Sequence, residues 1–269
     1  MSVSNQAKRQ GKILDEMMTF HREQLPKTMR TVPLANLRAF AAVAPAPRPI
    51  TPAFQGGGVA LVMEGKKASP EKGLLNLRYN AVALAKDVIA AGATAVSIWT
   101  DARHYQGSIA DLRDVKESVN VPVIRQDFIF HPYQLYESLV AGADGVVLIT
   151  AVLKDSELHR LSKKCRQLGM EPIIEVHTPD DMDRALAVNP AIILINRREW
   201  QTFNLDERAV RLGSFAPDGV TVLLRGGVRT AVDMEMLADN GIDGALVGQA
   251  LCKNKNPRRL AQALVYAGR

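Results

Sequence analysis

Eight short apolar runs, rich in Val, Ile and Leu, recur along the chain and constrain its fold more than any other feature. They read VALVME (59–64), TAVSIW (94–99), VPVIR (121–125), DGVVLI (144–149), EPIIEV (171–176), AIILIN (191–196), VTVLL (220–224) and DGALVG (243–248). None alternates apolar with polar residues, so each reads as a strand buried on both faces, as in a parallel sheet. Between them lie segments of helical period such as YNAVALAKDVIAAG, SELHRLSKKCRQLG and TAVDMEMLADNG, which close on Gly as helices commonly do. A shared pattern of helix end, Gly turn and buried strand starts at Ala90, Val140 and Asp239. Eight strands alternating with helices predict an α/β chain folded as a (β/α)8 TIM barrel. A doubly wound open sheet is the alternative, but the turn after the first run lacks the GxGxxG that such sheets carry.

Residues 1–50 stand outside this rhythm. ILDEMMTFHREQL puts Ile13, Met17 and Phe20 on one helical face, LANLRAFAAV predicts a second short helix, and APAPRPITP a stiff connector. The expected organisation is a helical extension, 1–50, packed on a barrel domain, 51–269. The 269 residues suit one large barrel.

The +6 net charge is scattered, with short doublets at Lys163-Lys164 and Arg258-Arg259 and no aromatic–basic interleaving, so nucleic acid is not an expected partner. A modest positive balance suits an enzyme for anionic small molecules. Cys165 and Cys252 lie far apart and read as core thiols in a reducing cytosol. The five histidines, at 21, 104, 131, 159 and 177, show no ligand spacing, so no dedicated metal site is expected. The N-terminus carries Lys8, Arg9 and Lys12 before any apolar run, and no stretch has membrane-span length. A cytoplasmic protein without membrane association is the expectation.

Barrels of this kind build their active sites at the C-terminal strand ends. There the sequence delivers Glu64 and Lys66 after the first strand, Gln126 and Asp127 after the third, and Glu175 in the fifth. Asn196 ends the sixth, Arg225 the seventh, and Gln249 follows the eighth. Any one could be a satisfied polar residue of the barrel interior, but six strands converging on one mouth point to a site. The Gly turns RGGVRT and GQALCKN follow the seventh and eighth strands, where this fold usually binds phosphate on exposed backbone amides. Gly226, Gly227, Gly248 and Gln249 are therefore candidate phosphate-binding residues.

The segments EGKKASPEKG, TDARHYQGSIADLRDV, VPVIRQDFIFHPYQLYES, AGADGVVLI, IIEVHT, INRREW and GGVRT, in order, resemble the indole-3-glycerol-phosphate synthase family. Its barrel closes and decarboxylates an anthranilate-derived ribulose phosphate in tryptophan biosynthesis. The resemblance covers nearly the whole chain. It implies catalytic roles for Glu64, Lys66, Glu175 and Asn196, a phosphate-side turn at Ser69-Pro70, and a substrate pocket with Tyr105, Phe128 and Arg198. It implies no cofactor, and a phosphorylated small-molecule substrate. Three positions depart from the family. The lysine before Asp-Phe, taken as general acid, is Gln126; a Glu-Ser-Gly is Arg225-Gly226-Gly227; and a Gly-Glu-Ser is Gly248-Gln249-Ala250. An amide cannot replace an acid, and a guanidinium stays protonated. The expected function is thus a synthase-like carbon–carbon lyase and cyclase on a phosphorylated sugar-amine adduct, with altered substrate or reaction. Retention of the ordinary synthase reaction, with Lys66 as the proton donor throughout, and a non-catalytic phosphometabolite-binding paralogue are the alternatives.

Overall fold

The computed structural model describes residues 3–269. Eight parallel strands close into a barrel: β1 Ala60–Gly65, β2 Ala95–Trp99, β3 Val123–Gln126, β4 Gly145–Ile149, β5 Glu171–Val176, β6 Ile192–Asn196, β7 Thr221–Arg225 and β8 Gly244–Val247. Each strand pairs with its sequence neighbours, and β1 pairs with both β2 and β8, so no edge is left open. This is the (β/α)8 barrel expected from the eight apolar runs.

The strands are uniformly buried because their alternate faces meet two different apolar environments. Leu61, Val96, Ile174, Ile195 and Leu224 face the surrounding helices, whereas Val62, Ile124, Ile173, Leu194 and Leu223 fill the barrel interior. The pleat then fixes what stands two residues further on. Glu64, Gln126, Glu175, Asn196 and Arg225 must point inward at the mouth, one pleat beyond those interior residues. The polar set of the strand ends is thus held by strand register and not by flexible loops.

The outer layer comprises α1 Val3–Thr31, α2 Leu34–Ala42, α3 Ala81–Ala90, α4 Ile109–Ser118, α5 Pro132–Val140, α6 Asp155–Gln167, α7 Pro179–Leu186, α8 Ala231–Ala238, α9 Gln249–Lys253 and α10 Pro257–Ala267. Polar side chains cap their starts: Asn80 accepts the Ala83 amide, Ser108 that of Asp111, and Thr178 and Thr230 each form a reciprocal capping box. Between β6 and β7 a 3-10 helix, Glu207–Phe215, replaces the expected α-helix.

Helix α1 runs beyond the expected 13–25 segment and through Pro26. Its last turn is held from outside, since the Tyr133 hydroxyl donates to the carbonyls of Thr28 and Val32. Tertiary contact here overrides the helix-breaking tendency of proline. Met17 and Met18 are buried in the cluster that contains Trp99, Tyr105, Phe128 and Trp200, so α1 covers part of the barrel mouth. Among the described residues no helix is long and apolar enough to cross a membrane.

Candidate active site

A cavity of about 540 Å³ opens at the C-terminal end of the barrel. It is lined by most of the residues singled out from the sequence: Glu64, Lys66, Ser69, Pro70, Tyr105, Arg198, Arg225, Gly226, Gly227, Gly248 and Gln249. Gln126, Asp127, Phe128, Glu175 and Asn196 are buried and lie outside its lining. That division is the main departure from the arrangement the resemblance implies.

Arg225 produces it. Projecting from the end of β7, its guanidinium lies between two carboxylates, donating to Glu175 Oε2 at 2.9 Å and lying 3.1 Å from Glu64 Oε1. Its planar fork suits two partners at once, which a lysine could not match. It also lies over the rings of Trp99 (5.2 Å) and Trp200 (5.8 Å). Burial disfavours the guanidinium charge, but Glu175 and Glu64 outweigh that and push its pKa further up.

Each carboxylate is densely satisfied. Glu175 accepts from Arg225, from Asn196 Nδ2 (3.0 Å), from Trp200 Nε1 (3.1 Å) and more distantly from Gln126 Nε2 (3.4 Å). The Gln126 amide oxygen accepts in turn from Ser97, so the glutamine braces β2, β3 and β5 and does not face the cavity. Glu64 accepts from Lys66 Nζ at 2.5 Å and Trp99 Nε1 at 2.8 Å. Burial alone would raise the Glu64 carboxyl, yet Lys66 and Arg225 hold it down at about 2. Two carboxylates and two cations therefore balance in one desolvated network. Of this network Glu64, Lys66 and Arg225 line the cavity.

The opposite wall suits an anion. Gly226 and Gly227 both take positive φ, 94° and 88°, a backbone path closed to most side chains. The backbone N–H groups of Gly226, Gly227 and Val228 have no acceptor among the described residues. Arg229 and Lys253, neither singled out from the sequence, join Lys66 and Arg198 in the lining. Gly248 is required for another reason: a Cβ there would collide with the Glu64 carboxylate.

A small antiparallel hairpin follows β1, pairing Ala68–Ser69 with Gly73–Leu74. Its turn carries Glu71, which meets Arg198 Nη1 at 2.9 Å from across the mouth. The aromatic wall is deeper than expected. Trp99 stacks on Tyr105 with centroids 3.5 Å apart, and Phe128 backs Trp200 at 5.6 Å. Both tryptophans escaped the sequence reading. Trp99 was accessible to it, because it continues the inward register of Ala95 and Ser97.

The model of the family described as indole-3-glycerol phosphate synthase matches residues 14–264. A protein of that name from Mycobacteroides abscessus is 36% identical over 259 residues, covering 96% of this chain and 95% of the relative. Another, from Saccharopolyspora erythraea, is 37% identical over 95% of this chain and 96% of its own length. Among solved structures, a 3-hexulose-6-phosphate synthase matches with a TM-score of 0.62 at 18% identity, over 78% of this chain and 99% of that one. The tryptophan synthase alpha subunit of Legionella pneumophila matches with a TM-score of 0.56 at 17% identity, over 78% and 92%. At such identities these structures speak for the barrel fold alone.

Proposed function

The chain belongs to the indole-3-glycerol phosphate synthase family, and from that premise we propose that it is a carbon–carbon lyase and cyclase acting on a phosphorylated sugar-amine adduct with an altered substrate or reaction. The observation that carries this reading is the Arg225 guanidinium seated between Glu64 and Glu175. Where the family places a lysine on the third strand and a glutamate on the seventh, this chain has Gln126 and Arg225. The cation has in effect moved from one strand to another while the two carboxylates stayed. The phosphate lies against Gly226, Gly227, Gly248, Gln249 and Ser69, where unpaired amides and nearby cations favour it.

Lys66 is the acid of the proposed reaction. Protonating a ketone oxygen, it makes the carbonyl carbon electrophilic enough for attack by an electron-rich aromatic carbon. A carbon–carbon bond forms, the oxygen becomes a hydroxyl, and loss of a carboxylate as CO2 returns its electron pair to the ring. That stage requires no protein base. A following dehydration does, and Glu64 at about 2 is a weak one, while Glu175 accepts four donors. With Glu64 and Glu175 so held, the chain departs from its family at the base step as well as at the acid position Gln126. Asn196 orients Glu175, and Tyr105 and Arg198 flank the substrate. Residues 1–50 are read as an extension of the 51–269 barrel, and the protein as cytoplasmic.

The test is a steady-state assay with carboxyphenylamino-deoxyribulose phosphate, following indole fluorescence, together with calorimetric binding of the same compound. Turnover at the rate of an ordinary synthase refutes altered chemistry. Binding without turnover supports it, and turnover of another phosphoketose adduct then separates an enzyme from the non-catalytic phosphometabolite-binding alternative. Neither binding nor turnover refutes the phosphate assignment.

A further inference from the structure

Helix α1 brings His21 to the loop after β2, where it meets two residues about 80 positions later in the chain. His21 Nε2 lies 2.7 Å from Asp101 Oδ2, and His104 Nδ1 lies 3.0 Å from the same oxygen. The three donor atoms all fall within 4.8 Å of one another. The other oxygen, Asp101 Oδ1, accepts the backbone amides of His104 (2.5 Å) and Tyr105 (2.8 Å). That pins the carboxylate and leaves Oδ2 to face the two imidazoles.

We propose that His21, Asp101 and His104 bind one divalent transition-metal ion of the zinc class, fastening α1 to the barrel mouth. Two imidazole nitrogens and one carboxylate oxygen are the donor set such ions prefer. Bonds of ~2.0–2.1 Å in tetrahedral geometry separate ligand atoms by roughly 3.3 Å. The cluster therefore closes around an ion when its two short contacts open by a few tenths of an ångström and the two imidazole nitrogens, within 4.8 Å of each other, settle at the same spacing. The Asp101 side chain is fully buried, whereas those of His21 and His104 retain 12% and 18% exposure. The ion thus has a route in from solvent, and its fourth position can be filled by water.

Aromatic packing holds both imidazole rings in place. The ring of His21 lies 4.9 Å from Phe128, and Phe20 meets both imidazoles edge-on at 5.5 and 6.0 Å. Arg103, next to His104 in the chain, lies over the Phe20 ring at 4.8 Å. Two neutral imidazoles can turn their lone pairs to the ion by moving each N–H to the other ring nitrogen. His21 lies one helical turn after Met17, which is buried against the aromatic wall. Tyr105, whose amide rests on Asp101, lines the cavity. The ion would therefore hold both the helix over the mouth and one wall of the site.

The experiment uses the full chain, freed of metal with a chelator. Zinc binding is measured by calorimetry, Co2+ binding by visible absorption, and α1 mobility by hydrogen exchange. The expected result is one equivalent bound, slower exchange in α1, a higher melting temperature with zinc, and affinity at least about tenfold lower in His21→Gln and in His104→Gln. Should His104→Gln fail to fold, His21→Gln on the half-buried helix decides alone. Zinc affinity unchanged in folded His21→Gln, or no uptake by the folded wild-type chain, overturns the proposal.

Discussion

Replacing Arg225 by Met removes the guanidinium from between two buried carboxylates while keeping comparable bulk. Breaking a buried ion pair by removing one partner costs about 3–5 kcal/mol, because a buried charge is left uncompensated. Here both carboxylates keep other donors: Lys66 and Trp99 on Glu64, Asn196 and Trp200 on Glu175. The expected loss at pH 7 is therefore about 3 kcal/mol, the lower end of that range. Its pH dependence follows from Glu64. With burial outweighed by Lys66 and Arg225, the carboxyl falls from an ordinary 4.5 to about 2, which adds about 3 kcal/mol of stability at neutral pH. A folded value below the unfolded one means that this stability is fully present above pH 4.5 and is lost as pH falls toward 2. In Arg225→Met the folded value moves part of the way back up, Lys66 remaining in place, so the gap between wild type and variant narrows as pH falls toward 3. Urea unfolding of both proteins at pH 7 and pH 3 measures it. Adding Glu175→Gln to Arg225→Met should recover part of the loss, since one less charge is buried unpaired. A penalty below about 1 kcal/mol at pH 7, or one that does not shrink in acid, refutes the reasoning.

Four further outcomes follow. Lys66→Ala should reduce turnover by about 10²–10⁴-fold in a steady-state assay on the true substrate, and should also lower the melting temperature, because it takes from buried Glu64 one of its two cations. Gln126→Lys alone should destabilise the chain, as it adds a third cation to a network in which two already balance the two carboxylates. Combined with Arg225→Glu it should raise synthase turnover, measured by indole fluorescence, and no gain would count against the strand-exchange account. Gly248→Ala should cost about 1–3 kcal/mol in urea unfolding, because its methyl group meets the Glu64 carboxylate.

The barrel was legible because buried parallel strands leave continuous apolar runs, and because the pleat fixes which end residues point inward. Glu64, Lys66 and Arg225 could be placed at the mouth for that reason alone, and the glycines after β7 and β8 by their position in the fold. What the sequence withheld were pairings across strands. Nothing local to Arg225 says that it reaches Glu64 on β1 and Glu175 on β5 together, or that Glu175 thereby leaves the cavity. The histidine spacing, read along the chain, gave no ligand pattern, since the His21–Asp101–His104 cluster exists only once α1 lies on the mouth. Pro26 pointed to an earlier end for that helix, and the Tyr133 contacts that carry it onward are tertiary.

The hairpin after β1 bears on the response to salt. Its Glu71 fastens to Arg198 across the mouth, but both side chains remain about a quarter exposed, and a pair so placed holds with ~1 kcal/mol at most, a closed-to-open ratio of roughly five. Salt then acts on the mouth in two opposed directions, loosening the clasp while screening the cations that line the cavity behind it.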